Sequence, residues 1–326
     1  MLTFYLDSNI LSYLQNPDQY VRMEGYDSIG VVKTYLGNAS NNVHVLYSTA
    51  HLMDSRKQFN KTPDLALLKL EFINQLTRNN CLLQDLYTKE VRIEQRNAVD
   101  LFRSYNSLHD VSAELGDRTK LSTLMEESNL FKAYERLPVN YEQIAEEFKD
   151  IPITFKRTKI RPNVYSLMCD LIEQFDFIST DGHLIYKLLR DKMQSEIGIA
   201  HQLAGQLNPL AIANQLLPNT ETGQLMQEVM TNSFRSDPNN REDIIASYFM
   251  NLDALGYRQD KIKRGHGYMS LATDAQHAFY ASYCDFFVTN DEPTTDKAKA
   301  VYNYLRLPTK VTTLQELAAK IAANSL

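Results

Sequence analysis

Short apolar runs and amphipathic segments alternate at the two ends of this chain. Each run has the length and composition of a buried strand, and the segment after it has apolar residues at helical spacing. Strands are predicted at 2–6, 43–48, 285–289 and 310–314, and helices at 8–15, 49–59, 294–307 and 314–323. Repeated strand–helix units predict a mostly parallel central sheet flanked by helices, which is an α/β fold.

The middle of the chain has a different pattern. Apolar spacing there is helical, as in residues 242–255, and the best candidate strand, 151–155, is short. The segments that carry strands therefore lie towards the two termini. We predict a discontinuous α/β domain of residues 1–60 and 255–326, interrupted by a large all-helical insertion at 61–254.

Composition is that of a soluble globular protein. The chain has 326 residues, 44% of them hydrophobic and 23% charged, and this length predicts about two structural units. No apolar run approaches the roughly 20 residues that cross a bilayer, and the three cysteines are far apart in the sequence. We therefore expect a cytoplasmic protein with reduced thiols and no membrane contact. Because the net charge is −6, a polyanion would be bound through a local basic patch or through metal ions.

Four aspartates follow or adjoin predicted strands. Asp7 follows the first strand, Asp54 lies in the helix after the second, Asp291 follows the third, and Asp274 opens a helical segment. A single acid of this kind is more commonly a helix cap or a solvated surface residue. Ligands bind at the carboxyl ends of parallel strands, however, so acids from several such positions are expected to converge on one edge of the sheet.

Two motifs around these acids resemble the PIN-domain nucleases. "YLDSNIL" at 5–11 has the form of that family's first strand and its acid, and "TDAQHAFYASYCDFFVTND" at 273–291 resembles its last helix–strand unit. The resemblance covers about residues 1–60 and 255–326. It implies a PIN-like fold and a metal-dependent endoribonuclease that hydrolyses RNA phosphodiesters. Members of the family act as toxins neutralised by an antitoxin, in RNA processing and in defence against phage.

The resemblance also implies roles for individual residues. Asp7, Asp274 and Asp291 match acids that bind divalent metal in the family, and the remaining acid, usually Glu, is best matched by Asp54, with Glu71 as the alternative. Other polar residues near these acids are expected to orient the carboxylates by hydrogen bonds or to lie just outside the ligands. They are Ser8, Asn9, Asp285, Thr289 and Asn290.

Phosphodiester cleavage gives a chemical reason for clustered carboxylates. Two divalent cations roughly 3.5–4 Å apart can activate the attacking water and stabilise the leaving oxygen. Mg²⁺ or Mn²⁺ is the expected cofactor, because hard cations prefer carboxylate oxygens and water. Without cations, clustered aspartates repel one another and their pKa values rise.

Substrate contacts are expected from lysine and arginine residues, which position phosphates without reading bases. Basic runs occur at 155–162 and 258–267, and the second directly precedes Asp274. The predicted substrate-binding residues in this second run are Arg258, Lys261, Lys263 and Arg264. RNA is the expected partner, with DNA as the alternative. A regulatory protein such as an antitoxin and a second copy in a homo-oligomer are further candidates.

Three other functions compete with this one. Since the fourth acid is Asp in place of the family's usual Glu, the chain could also be a catalytically inactive scaffold or a module that binds nucleic acid or protein. A zinc site is disfavoured, because His266, His277 and Cys284 are farther apart in sequence than zinc ligands normally are. A phosphatase with a nucleophilic aspartate would carry a second acid where this chain has Asn9.

Overall fold

The chain forms two compact units. The sheet unit comprises Met1–Val111, Asn239–Phe249 and Thr273–Leu326, and the insertion unit comprises Ser112–Pro238 and Met250–Ala272. The computed structural model describes residues 1–38, 42–85, 88–105, 133–136, 138–147, 149, 153–174, 187, 190–191, 194–195, 197–220, 223–224, 227, 240–259 and 268–326.

A six-stranded sheet with the order β4-β3-β2-β1-β5-β6 is the centre of the sheet unit. Its strands are β1 Leu2–Leu6, β2 Val43–Ser48, β3 Asn80–Gln84, β4 Val91–Gln95, β5 Phe286–Val288 and β6 Lys310–Thr312. β1 pairs in parallel with β2 and β5, β2 with β3, and β5 with β6, whereas β3 and β4 are antiparallel. The predicted α/β class with a mostly parallel sheet is confirmed.

Helices connect the strands and flank the sheet. They are α1 Ser8–Gln15, α2 Tyr26–Gly37, α3 Thr49–Phe59, α4 Pro63–Thr77, α5 Arg241–Ala254, α6 Tyr268–Ala281, α7 Glu292–Leu305 and α8 Leu314–Ala322. α3 packs on α4, and α2 packs on α8. Short polar side chains mark where several helices begin, because Asp7, Ser48, Asp291 and Thr313 each accept a hydrogen bond from a backbone N–H of the first turn.

The central strand β1 is buried on both faces. Phe4, Tyr5 and Leu6 have no exposed surface. The ring of Phe4 stacks on that of Phe286 in β5, with centroids 5.0 Å apart and 9° between the ring planes. A strand covered on both sides needs apolar residues in succession, which explains why this segment is a continuous apolar run in the sequence.

The described part of the insertion unit is helical apart from turns and one isolated bridge. Its α-helices are Tyr141–Glu147, Lys156–Ile160, Val164–Gln174, Ala200–Leu203 and Pro209–Leu216. The end of α5 and the first residues of α6 also belong to this unit. A buried ion pair joins Arg190 to Asp253 at 3.3 Å. Across both units, none of the described helices is long and apolar enough to span a membrane.

One expectation about the middle of the chain is wrong. Residues 61–254 are not all helical, because β3 and β4 lie within them and complete the sheet. The candidate strand at 151–155 is described at 153–155, where the chain is not a strand and leads directly into the helix Lys156–Ile160. The carboxylate of Asp170 accepts hydrogen bonds from the N–H groups of Arg157 and Thr158 in this helix.

Candidate functional site

Three of the predicted aspartates lie at the edge formed by the carboxyl ends of β1, β2 and β5. Asp7 directly follows β1, and its N–H donates to the carbonyl of Val288 at the end of β5 over 2.9 Å. Asp54 lies on α3, which begins directly after β2, and Asp291 caps the start of α7 after β5. The parallel topology therefore brings distant segments of the chain to one edge of the sheet.

Asp7 is a buried carboxylate held at both oxygens. The N–H of Ser8 donates to its Oδ1 over 2.5 Å, and the hydroxyl of Thr289 donates to its Oδ2 over 2.7 Å. Burial raises the pKa of the Asp7 carboxyl, while His277 and the hydrogen bond from Thr289 act to lower it. Because the first effect is the largest, folding disfavours the charge at this position.

Two hydroxyl residues connect Asp7 to the other aspartates. Ser8, which bonds Asp7 through its N–H, also donates its hydroxyl to Oδ2 of Asp54 over 2.6 Å. Thr289, fully buried, donates to Asp7 and accepts from the N–H of Asp291 over 3.2 Å. The carboxylate of Asp291 itself accepts from the N–H of Thr294 over 2.8 Å. The three aspartates thus belong to one hydrogen-bonded network.

The fourth predicted aspartate, Asp274, lies on the same helix as His277. Asp274 is partly exposed on α6, one helical turn before His277. Glu71, the alternative to Asp54, is exposed on α4, so Asp54 is the acid that joins the network. Among the residues that the structure describes, no three His, Cys, Asp or Glu side chains are placed to hold one metal ion.

Comparisons with protein-family models, with curated proteins and with solved structures give no match. A function for this site therefore rests on its own residues and on the two sequence motifs.

A buried row of hydrogen bonds leads from β1 to Asp54. The hydroxyl of Tyr5 lies 2.6 Å from Oγ of Ser48 and 2.8 Å from Nδ1 of His277. Nε2 of His277 lies 2.9 Å from Oδ2 of Asp54. Because an ionised carboxylate only accepts hydrogen bonds, Nε2 donates to Asp54 and Nδ1 can accept from Tyr5. Burial raises the pKa of Tyr5 well above its usual value, so its phenol keeps the proton that this arrangement needs.

A second buried imidazole, His51, has a fixed tautomer. The N–H of Ser48 donates to its Nδ1 over 3.1 Å, and its Nε2 lies 2.7 Å from the carbonyl of Leu6. A backbone N–H can only donate and a carbonyl can only accept, so the ring is neutral with its proton on Nε2. Burial, reinforced by nearby His277, lowers the pKa of His51 from 6.5 to about 3. This ring is therefore a structural link between β1 and β2.

Lys69 of α4 brings a positive charge to the linked aspartates. Its side chain is 8% exposed, and its Nζ donates to the carbonyl of Ser8 over 3.3 Å. Burial lowers the pKa of the Lys69 ammonium, while Asp54 and Asp7 act to raise it. The protein itself thus supplies a cation beside the carboxylates.

Asp285 and Asn290 have roles other than those expected. The N–H and the hydroxyl of Thr3 both donate to Oδ2 of Asp285 over 2.8 Å, at the end of β1 opposite Asp7. The expectation that Asp285 lies just outside the metal ligands is therefore wrong. Oδ1 of Asn290 accepts from the N–H of Leu314 over 2.8 Å, so this side chain holds the start of α8.

Of the four predicted substrate-binding residues, the structure describes only Arg258. Arg258 is exposed in the insertion unit and has a left-handed backbone with φ of 48°. Lys261, Lys263 and Arg264 lie outside the described residues. Their contact with RNA stays a prediction.

Sequence reasoning missed Tyr5 and Lys69. A signal for Lys69 was present, because it shares one face of α4 with the buried residues Ala66, Leu70 and Ile73 at helical spacing. A lysine in such a row indicates a buried acidic partner. Tyr5 carried a weaker signal, as a hydroxyl-bearing side chain two residues before Asp7.

Proposed function

We propose that this chain is a divalent-metal-dependent endoribonuclease that hydrolyses RNA phosphodiesters at the sheet edge carrying Asp7, Asp54 and Asp291, with Asp274 of α6 as the fourth acid. The observation that carries the proposal is the pair of shared hydroxyl residues. Ser8 connects Asp7 to Asp54, and Thr289 connects Asp7 to Asp291. Aspartates that act only as separate helix caps need no common hydrogen-bonding residue. Carboxylates that are oriented towards one ligand are expected to share such residues.

The donor atoms at this edge suit a hard cation. They are oxygens, and two of them are buried without a hydrogen-bond partner among the described residues: Oδ1 of Asn9 and Oγ1 of Thr294. A buried polar atom of this kind is unfavourable unless a ligand or water satisfies it. Asn9 lies two residues after Asp7, and the N–H of Thr294 bonds Asp291, so both oxygens belong to segments that carry the carboxylates. Mg²⁺ and Mn²⁺ accept carboxylate and amide oxygens as ligands.

The four aspartates would hold the cations in this proposal. Bound Mg²⁺ or Mn²⁺ supplies positive charge at the phosphodiester and makes water a better nucleophile. The protein's own contribution is orientation, because Ser8 and Thr289 fix the carboxylate of Asp7 and His277 fixes that of Asp54. The row from Tyr5 to His277 keeps the donating nitrogen of the imidazole directed at Asp54.

A second candidate function is a catalytically inactive scaffold or a module that binds nucleic acid or protein. Lys69 favours it, since an ammonium beside Asp7 and Asp54 neutralises charge that a divalent cation would otherwise neutralise. The lack of a three-ligand group in the described part of the chain points the same way. The two candidates differ in one measurable property, the binding of Mn²⁺ at the aspartates.

The experiment combines cleavage of end-labelled single-stranded RNA with calorimetric titration of Mn²⁺. Asp7→Asn and Asp291→Asn are each expected to lower cleavage by more than the roughly 10–100-fold that changes outside the ligand shell cost, and to weaken Mn²⁺ binding. Excess chelator should abolish cleavage of the unmodified protein.

Asp285→Asn is the matched control, because it makes the same chemical change at the opposite end of the central strands. It should keep both cleavage and Mn²⁺ binding. Cleavage that survives chelator, or that is equal in Asp7→Asn and the unmodified protein, refutes the metal mechanism. Intact RNA together with no Mn²⁺ binding supports the scaffold.

A further inference from the structure

β4 lies at one edge of the sheet that the structure describes. In the described part of the sheet it is the last strand, with β3 on one side only. Its side chains are largely exposed, and Ile93 at its centre is 50% exposed. An exposed edge strand with an apolar residue is a template for pairing with another strand.

The backbone groups on this edge belong to alternate residues. The N–H of Arg96 donates to Asn79, and the N–H of Asp85 donates to Glu90, both over 2.8 Å. In an antiparallel pair, such bonds recur at every second residue. Even-numbered residues of β4 therefore bond to β3, and the N–H and carbonyl groups of Val91, Ile93 and Gln95 point away from it.

The charges along this strand are self-complementary. The sequence from Glu90 to Arg96 reads E-V-R-I-E-Q-R. When a second copy runs antiparallel with Ile93 opposite Ile93, Glu90 faces Arg96 and Arg92 faces Glu94. Each of the four charged positions then meets the opposite charge, and each pair occurs twice by symmetry. Opposite charges directly across an antiparallel pair stabilise it, and like charges destabilise it.

We propose that two copies of this chain pair through β4, antiparallel and with the two-fold axis at Ile93. This register makes Ile93 opposite Ile93 a hydrogen-bonded pair, with Val91 opposite Gln95 on each side. These are the residues whose backbone groups point outwards, so charge pattern and hydrogen-bond pattern select the same register. The contact is isologous, as two-fold dimers require, and it joins the two sheets into one.

The charges are available for such a contact. Within one copy, Arg92 pairs with Glu90 at 2.6 Å and Arg96 with Glu94 at 2.8 Å, and the four side chains are 40–66% exposed. Exposed ion pairs of this kind contribute little to the stability of the folded chain by themselves. Pairing of two copies keeps these neighbours and adds an opposite charge across the interface. The proposal is independent of the proposed nuclease activity.

Sedimentation of the full chain over about 1 to 200 µM tests the dimer, because a reversible dimer depends on concentration. The unmodified protein should show a monomer–dimer equilibrium. Arg92→Glu and Glu94→Arg each place two like-charge pairs at the axis, and each should weaken dimerisation about tenfold or more. An equimolar mixture of the two variants restores all opposite pairs, so a heterodimer of the variants should form.

Arg103→Glu, at another exposed arginine, is the control and should leave the equilibrium unchanged. Far-UV circular dichroism checks that each variant is folded. A protein that is monomeric at every concentration overturns the proposal. So does a dimer that both charge reversals leave intact, since that dimer uses another surface, and so does a failure of the two variants to associate with each other.

Discussion

Nε2 of His277 lies 2.9 Å from Oδ2 of Asp54, although 223 residues separate the two in the chain. The contact joins α6, near the end of the sequence, to α3, near its start. On its other side His277 meets Tyr5 of β1. The orientation of one carboxylate at the candidate site thus depends on a side chain from each end of the chain.

Tyr5→Phe tests this row of hydrogen bonds. The substitution leaves Nδ1 of His277 and the hydroxyl of Ser48 without their shared buried partner. Unsatisfied buried groups cost about 1–3 kcal/mol, so the free energy of unfolding in urea should fall by that amount. The ¹⁵N chemical shifts of the His277 ring should also change, because its Nδ1 loses the hydrogen bond from the Tyr5 hydroxyl.

Tyr47→Phe is the control for this prediction. The hydroxyl of Tyr47 is also buried and donates to the carbonyl of Arg96 over 2.7 Å, far from His277 in the hydrogen-bond network. It should lower stability by a similar amount and leave the His277 shifts unchanged. If Tyr5→Phe also leaves those shifts unchanged, the Tyr5 hydroxyl does not donate to Nδ1 of His277.

Acid should destabilise the protein through His51. Its pKa is lowered from 6.5 to about 3 in the folded state, so below pH 6.5 the unfolded chain binds a proton that the folded chain does not. The contribution of His51 is complete above pH 6.5 and is lost as the pH falls towards 3. It amounts to roughly 5 kcal/mol at most, a large part of a typical total of about 5–15 kcal/mol.

His51→Gln isolates this contribution, because glutamine can accept from Ser48 and donate to Leu6 but does not titrate. The difference in unfolding free energy between the two proteins, measured in urea from pH 7 to pH 4, should shift in favour of the variant as the pH falls. A constant difference over this range means that His51 is not the group responsible.

Asp7→Asn should stabilise the fold while it removes the proposed activity. Burial raises the pKa of Asp7, so ionisation of this carboxyl opposes folding. The neutral amide should increase the free energy of unfolding at pH 7 by roughly 0.5–2 kcal/mol, as substitutions at functionally constrained positions do. This gain should shrink as the pH falls towards 3.8, the usual pKa of aspartate. A loss of stability at pH 7 would show that the charge of Asp7 supports the fold.

Much of the sheet could be predicted from the sequence. β1, β2 and β5 are buried or nearly so, and burial on both faces produces the continuous apolar runs that were recognised. Polar residues mark the starts of the next helices, because Asp7 caps α1 directly after β1 and Ser48 caps α3 at the end of β2. These signals are local, so a single sequence contains them.

β3 and β4 were missed for opposite reasons. β3 is short and follows α4 almost directly, so its apolar residues merge with the helical pattern. β4 alternates apolar and polar residues, as an exposed edge strand does, but its charges are also typical of a surface helix. The row from Tyr5 to His277 spans 272 residues, and no local pattern indicates which buried hydroxyl meets which imidazole.

Lys69→Met tests whether the built-in cation competes with a divalent one. Methionine is similar in length and fits the apolar face of α4, but it removes the positive charge beside Asp7 and Asp54. Less repulsion of a bound cation should tighten Mn²⁺ binding, measured by calorimetry, on the order of tenfold, or about 1.4 kcal/mol. Lys33→Met, a lysine on α2 that lies 6.0 Å from the ring of Phe72, serves as the control and should leave the affinity unchanged. Weaker Mn²⁺ binding in Lys69→Met would instead show that Lys69 positions Ser8 and, through it, the carboxylates of Asp7 and Asp54. The hydrogen bond from Lys69 to the Ser8 carbonyl would then raise the Mn²⁺ affinity by more than the charge of Lys69 lowers it.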